Sequence, residues 1–182
     1  NVPSIIGFAE ALALAEKNKQ KEFARVGKLR NELERGIFKL IPKIVLNGHP
    51  QKRLPNFLNV SVLDIEGEAA LLYLDQEGIS ASTGSACDSQ TLEPSHVILA
   101  LGRPYEYAHG SLRFTLGKYT TRESVRYLLK HLPPIVKKLR QMSPLDLKMG
   151  LPAQAGKEKR VSLPKAFTGG QTPHFLRKRN SK

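Results

Sequence analysis

The chain contains one cysteine, Cys87, within Ser82-Thr83-Gly84-Ser85-Ala86-Cys87-Asp88-Ser89-Gln90-Thr91, a ten-residue run with nothing bulky or strongly apolar. A free cysteine is most often a small buried hydrophobe, but so polar a run is not core sequence. Gly84 and Ala86 leave the sulfur unscreened and the backbone free to move, which suits a thiol that travels between a substrate and a recipient. Asp88 acts in the opposite sense: a carboxylate beside a thiol disfavours the thiolate, so activation is expected from a base or cation elsewhere. A lone cysteine also excludes an internal disulfide, and it cannot by itself build a zinc or iron-sulfur site.

Arg113 is the second candidate. In Ser111-Leu112-Arg113-Phe114-Thr115 the alternation puts Leu112 and Phe114 on one face of a strand and Arg113 with Ser111 and Thr115 on the other. A planar guanidinium on a polar strand face suits a carboxylate held by two hydrogen bonds; a structural ion pair or a solvated edge residue gives the same pattern. His96 and His109 are candidates for acid-base work, although isolated histidines are more often structural. Glu66 and Glu68 read as first-turn acids at a helix N-terminus. Asn59-Val60-Ser61 matches a glycosylation sequon, which carries little weight in a chain with no secretory signal segment.

The elements that position these residues follow from periodicity. Pro3 suits a first helical turn, and Ile5, Phe8, Leu12, Val26, Leu29, Leu33 and Ile37 recur at helical spacing. They predict one long helix, or two joined, to about Arg35, ended by Gly36 and Pro42. Short strands are expected at 44–46, 57–63, 79–82 and 112–116, with a helix over 66–76 closed by Gly78 and another from Ser95 to Leu101. Thr120 with Glu123 predicts a capping box for a final helix whose stripe is Val125, Leu128, Leu132, Ile135 and Leu139, kinked at Pro133-Pro134. The fold class expected is α+β: a two-layer domain with a small sheet covered by the long first and last helices.

The chain has 182 residues, 29 Lys+Arg against 16 Asp+Glu, and 40% hydrophobic residues. That is one domain's length with enough apolar sequence for a core, which excludes a wholly disordered chain. No run approaches the roughly 18 apolar residues that span a bilayer, so no membrane role is expected. The organisation expected is a folded unit over 1–144 and a flexible basic tail over 145–182, which holds nine Lys/Arg and two Asp/Glu. Phe167 and Phe175 are the tail's only aromatics, too few and too far apart to stack bases, so nucleic acid is not an expected partner. Cysteine usage points to a reducing, cytoplasmic setting. The start at Asn1, directly on helix-forming sequence, reads as that of a fragment or processed chain.

Seven blocks of sequence carry a resemblance. They are Asn1-Val2-Pro3; Leu46-Asn47-Gly48; Pro55-Asn56-Phe57-Leu58-Asn59-Val60-Ser61; Ile65-Glu66-Gly67-Glu68; Ser82-Thr83-Gly84-Ser85-Ala86-Cys87; Leu92-Glu93-Pro94-Ser95-His96-Val97 with Leu101-Gly102; and Ser111 to Gly117 with Tyr119-Thr120-Thr121. Through them residues 1–144 resemble the C-terminal part of a cysteine desulfurase of the iron-sulfur-assembly type, in the class V group of the fold-type I, pyridoxal-phosphate-dependent aminotransferase superfamily. The resemblance implies that these residues form the small C-terminal domain of such an enzyme. It also implies that Cys87 is the nucleophile that takes sulfur from L-cysteine, leaving L-alanine and a persulfide, and that Arg113 holds the substrate carboxylate. Through its persulfide, Cys87 would transiently share metal with an iron-sulfur scaffold, the implied sulfur acceptor. The enzyme would be a homodimer, cytoplasmic or in the mitochondrial matrix of a eukaryote.

The family's larger domain, with the lysine that binds pyridoxal phosphate, is absent from these residues, so no cofactor-binding residue is expected here. The chain alone is then expected to be inactive, since the electron sink belongs to the cofactor. Two alternatives stay open: a selenocysteine lyase-like enzyme, and a truncated, non-catalytic module that binds protein or nucleic acid.

Overall fold

The computed structural model describes residues 1–83, 95–144 and 146–147. Cys87 and the 145–182 tail, apart from Asp146 and Leu147, lie outside the described residues. The first element is a single helix, α1 (Val2–Leu40), of 39 residues and so about 58 Å long. Asn1 caps it, the Oδ1 accepting from the Ser4 N–H, and Pro3 stands in its first turn as expected.

The sequence reading ended this helix near Arg35, but α1 runs straight through Gly36. A Cβ there would lie 2.4 Å from Leu129 Cδ1. Gly36 is a packing notch rather than a stop signal, and the extra helical turn that follows buries Ile37.

Three strands follow expectation closely. β1 (Ile44–Leu46), β2 (Phe57–Val62) and β3 (Ser111–Thr115) form an antiparallel sheet in the order β1-β2-β3. Between them lie α2 (Gly67–Gln76), closed by Gly78 at φ +68°, then α3 (His96–Ala100) and α4 (Tyr105–His109). The last helix is α5 (Arg122–Met142). The strand expected over 79–82 reduces to a single bridge between Ser82 and Arg113. The five-residue α4 is too short for a periodic signal, and the sequence reading did not include it.

One face of the sheet carries the core. Leu58, Val60, Val62, Leu112 and Phe114 pack with Leu33 and Ile37 of α1, Ala70 and Leu74 of α2, and Val125, Leu128, Leu132, Val136 and Leu139 of α5. The two long helices run side by side in the same direction. Arg25 reaches the carbonyl of Thr120 at 2.8 Å, Gly36 meets Leu129, and Arg140 donates to the carbonyl of Pro42 at 2.7 Å. This is the α+β arrangement expected from the sequence.

One detail of α5 differs from it. Thr121, not Thr120, is the N-cap, and it exchanges hydrogen bonds with Ser124 rather than Glu123. Thr120 is already committed, its Oγ1 accepting from the Gly117 N–H at 2.9 Å. The helix is also continuous through Pro133 and Pro134.

The amino-terminal half of α1 has no cover among the described residues. Val2, Ile5, Ile6, Phe8 and Leu12 are each more than half exposed. No described helix is long and apolar enough to cross a membrane.

Candidate functional site

The second face of the sheet is polar, and the antiparallel register aligns one row across it. Asn59 of β2 stands opposite Arg113 of β3. On one side of this pair the Asn47 N–H donates to the Asn59 carbonyl at 3.0 Å. On the other, Arg113 and Ser82 exchange both backbone bonds, Arg113 N–H to Ser82 O at 2.7 Å and Ser82 N–H to Arg113 O at 3.1 Å. The row is thus Asn47, Asn59, Arg113, Ser82, and alternation puts Phe57 and Ser61 of β2 on the same face.

This row opens into a cavity of about 300 Å³ lined by Asn47, His49, Phe57, Asn59, Ser95 and Arg113 together with Val97, Ile98 and Leu101. Lys52 and Arg53 add to the wall, and among the described residues no aspartate or glutamate lines it. Arg113 is half-buried. Its guanidinium lies 6.0 Å from the Phe57 ring centroid and has no hydrogen-bond or ion-pair partner among the described residues. A half-buried cation placed this way, with Lys52 and Arg53 on the same wall, is a receptor for an anion, and the planar fork suits a carboxylate.

The side chains around Arg113 are themselves held in place. Asn47, 6% exposed, donates from Nδ2 to Asn59 Oδ1 and to Ser61 Oγ, both at 2.8 Å. His49 Nδ1 accepts from the N–H groups of Gln51 and Lys52, which fixes the turn after Gly48. Arg53 pairs with Glu34 of α1. Burial, and then the neighbouring Arg53 charge, hold the Arg30 guanidinium of α1 below its ordinary value.

The described ends of the segment that carries Cys87 both lie here. Thr83 follows the Ser82–Arg113 bridge directly, and its methyl sits against Gly67, where a Cβ would lie 3.0 Å from Thr83 Cγ2 and 2.9 Å from the His109 carbonyl. At the other end Ser95, buried at the start of α3, lines the cavity with Arg113.

The remaining candidates stand apart from the cavity wall. His96 is exposed on α3. His109 lies at the end of α4, 3.8 Å from Glu66 and edge-on to Tyr105. Glu66 and Glu68 take the helix-start positions expected of them. Asn47, Asn59 and Phe57 were missed as site residues. The signal was the polar alternation Phe57-Asn59-Ser61, which marks a non-core strand face, but only the register places it beside Arg113. Among the described residues no group of three metal-ligating side chains occurs.

The sequence profile named aminotransferase class-V matches residues 1–128. The chain belongs to the aminotransferase class-V family. Its class V relatives include the cysteine desulfurase IscS 1 of Archaeoglobus fulgidus, 50% identical over 145 residues, and the cysteine desulfurase NifS of Azotobacter vinelandii, 46% identical over 144 residues. These alignments take in 80% and 79% of this chain but 38% and 36% of the two relatives. The chain therefore spans little more than a third of their length.

Among solved structures, a NifS-like protein from Rickettsia africae ESF-5 superposes with a TM-score of 0.66 at 26% identity, covering 75% of this chain and 35% of the other. A second NifS-like protein gives 0.66 at 32% identity, with 76% and 34% covered. The helix-and-sheet arrangement described above is thus part of a class V fold.

Class V enzymes work in general with pyridoxal phosphate. The cavity suits a carboxylate but does not fit that cofactor. Among the described residues its one lysine, Lys52, sits on an exposed turn, and its one phenyl ring, Phe57, is already faced by Arg113. No seat for ring, phosphate and Schiff-base lysine together is formed by the described residues.

Proposed function

We propose that this chain is the small C-terminal domain of a cysteine desulfurase. In this reading Arg113 holds the carboxylate of L-cysteine, and the Cys87 thiolate takes the substrate's sulfur. A new S–S bond forms on Cys87 as the substrate's C–S bond breaks; the carbon left behind takes up a proton, and L-alanine leaves. The pyridoxal phosphate that makes that carbon a leaving group would be seated by the part of the longer enzyme beyond this chain. The persulfide then passes to an acceptor, an iron-sulfur scaffold in the first instance, and the enzyme works as a homodimer.

One observation carries the reading: a half-buried guanidinium without a counter-ion among the described residues lies on the strand that is hydrogen-bonded to Ser82, five residues before Cys87. Covalent reach alone keeps the Cys87 Cα within roughly 18 Å of the Ser82 Cα. Arg113 can therefore orient a substrate whose sulfur the thiol is able to reach, and a planar, always charged fork is the group that does this with least loss of freedom.

The test uses the longer protein that contains this chain, loaded with pyridoxal phosphate and given L-cysteine. Equimolar alanine and a sulfur adduct of 32 mass units (roughly one sulfur atom) on the Cys87 peptide are expected, with the adduct absent in Cys87→Ala. Alanine without an adduct on Cys87, or no alanine at all, would reject the reading.

A further inference from the structure

We infer that Asn59 supplies a second hydrogen-bond donor to the carboxylate held by Arg113, with Asn47 as the positioning residue that turns its amide. This rests on the reading of Arg113 given above and goes beyond it by defining the carboxylate subsite as a guanidinium plus a primary amide.

The argument begins with the ladder. Opposed residues in an antiparallel pair alternate between those that exchange backbone bonds and those that do not. Arg113 turns its backbone N–H and C=O to Ser82, and Asn59 accepts through its carbonyl from Asn47 on the opposite side. Asn59 and Arg113 are therefore a non-hydrogen-bonded pair, the kind whose Cα atoms come within about 4.5 Å and whose side chains lie closest. Both side chains project from the polar face into the same cavity.

The amide's orientation follows from its other neighbours. Asn47 Nδ2 donates to Asn59 Oδ1 at 2.8 Å, while its second bond to Ser61 Oγ keeps Asn47 itself from turning. With its oxygen committed to β1, Asn59 is left with Nδ2 as the end that has no partner among the described residues. That nitrogen is not one of the buried orphan atoms, which are Asn47 Oδ1, Arg53 Nε and Nη1, and Ser111 Oγ. Asn59 itself lines the cavity with Arg113. A carboxylate is acceptor-only and offers about four lone-pair sites, so one Arg113 fork leaves room for a further donor.

The subsite so formed discriminates by the carboxylate, which separates a binding role from a structural one. In the holoenzyme, KM for L-cysteine and the inhibition constant of cysteamine, the same molecule without its carboxylate, are measured for wild type, Asn59→Ser, Asn59→Asp and Arg113→Ala. Asn59→Ser keeps an oxygen for Asn47 and exchanges the amide NH2 for a single O–H on a shorter stem, drawn back from the carboxylate; KM is expected to rise about tenfold with the cysteamine constant within about twofold. Asn59→Asp also keeps that oxygen but sets a carboxylate opposite Arg113; its KM is expected to rise further than that of Asn59→Ser.

If Arg113→Ala loses discrimination between the two ligands and the Asn59 variants keep it, the inference on Asn59 is overturned while the reading of Arg113 stands. If Asn59→Ser weakens both ligands equally, its role is structural and the inference is again overturned. If Arg113→Ala also leaves discrimination intact, the reading of the site falls with it.

Discussion

Ser82 and Arg113 form a closed backbone pair, each donating its N–H to the other's carbonyl, at 3.1 and 2.7 Å. It is the last backbone bond the described chain makes before the segment that bears Cys87. The residue proposed to hold the substrate and the point from which the segment proposed to carry sulfur departs are therefore parts of one ladder rung. A change in one is transmitted to the other without an intervening hinge.

Breaking that rung should separate the two roles. Ser82→Pro removes the N–H that donates to Arg113 O, while β2 still holds Arg113 from its other side. In the full enzyme the rate of persulfide formation is expected to fall about tenfold, with KM for cysteine changed less than about threefold. A stopped-flow measurement of the single-turnover rate decides it: an unchanged rate would show that the anchor does not set the thiol's position.

Arg113→Lys tests the fork against the charge. Lysine keeps the positive charge but offers a point donor on a flexible stem. KM for cysteine is expected to rise about tenfold or more, the loss of one charge-assisted bond, while kcat changes little. A lysine variant with wild-type KM would mean that charge alone suffices.

How far the sequence revealed these features depended on whether the deciding contact was local. Strand alternation placed Leu112 and Phe114 in the core and Arg113 opposite, because a period of two needs no tertiary information. The cap of α5 was misread by one residue: the sequence offers adjacent hydroxyls at Thr120 and Thr121, and only the turn to Gly117 takes one out of play. Gly36 was read as a terminator because its local signal is the same whether a helix ends or a neighbouring Leu129 needs room. Ile5, Phe8 and Leu12 marked the helix correctly, yet the described chain covers only the later turns of α1. Asn59 was visible only as a sequon, since its meaning lies in register with residues 47 and 113, which are far apart in sequence.

Two glycines should respond differently to the same substitution. At Gly36 an alanine Cβ meets only the far end of the partly buried Leu129 side chain, 2.4 Å away, and the change gains about 0.5–1 kcal/mol of helix propensity. At Gly110 the Cβ would fall 2.0 Å from the Val62 carbonyl oxygen, where only backbone can move. Gly110→Ala is expected to cost about 2 kcal/mol or more, Gly36→Ala at most about 1 kcal/mol. Denaturant midpoints of the two variants give the ranking, and equal losses would contradict the packing difference.

The first residues past α5 are tied down by charge, so their docking should depend on pH at both ends of the scale. Lys43 Nζ bonds to Asp64 and Asp146, and Asp64 Oδ1 accepts from the Leu147 N–H at 2.6 Å. The bond to Lys43 holds the Asp146 carboxyl below its ordinary 3.8. Its bonds to Asp146 and then Asp64 raise the Lys43 ammonium above its ordinary 10.5. A lowered acid contributes fully above its unfolded value and loses that contribution as pH falls through the folded one; a raised base contributes fully below its unfolded value and loses it as pH rises through the folded one. The pair's contribution should therefore be level from about pH 4 to about pH 10 and decline outside that window. The amide resonance of Leu147 should hold one position across it and move toward the random-coil shift on either side. In Asp146→Asn the acid-side movement that reports the Lys43–Asp146 pair should be lost, whereas an unchanged acid-side profile would show that this pair does not set the docking.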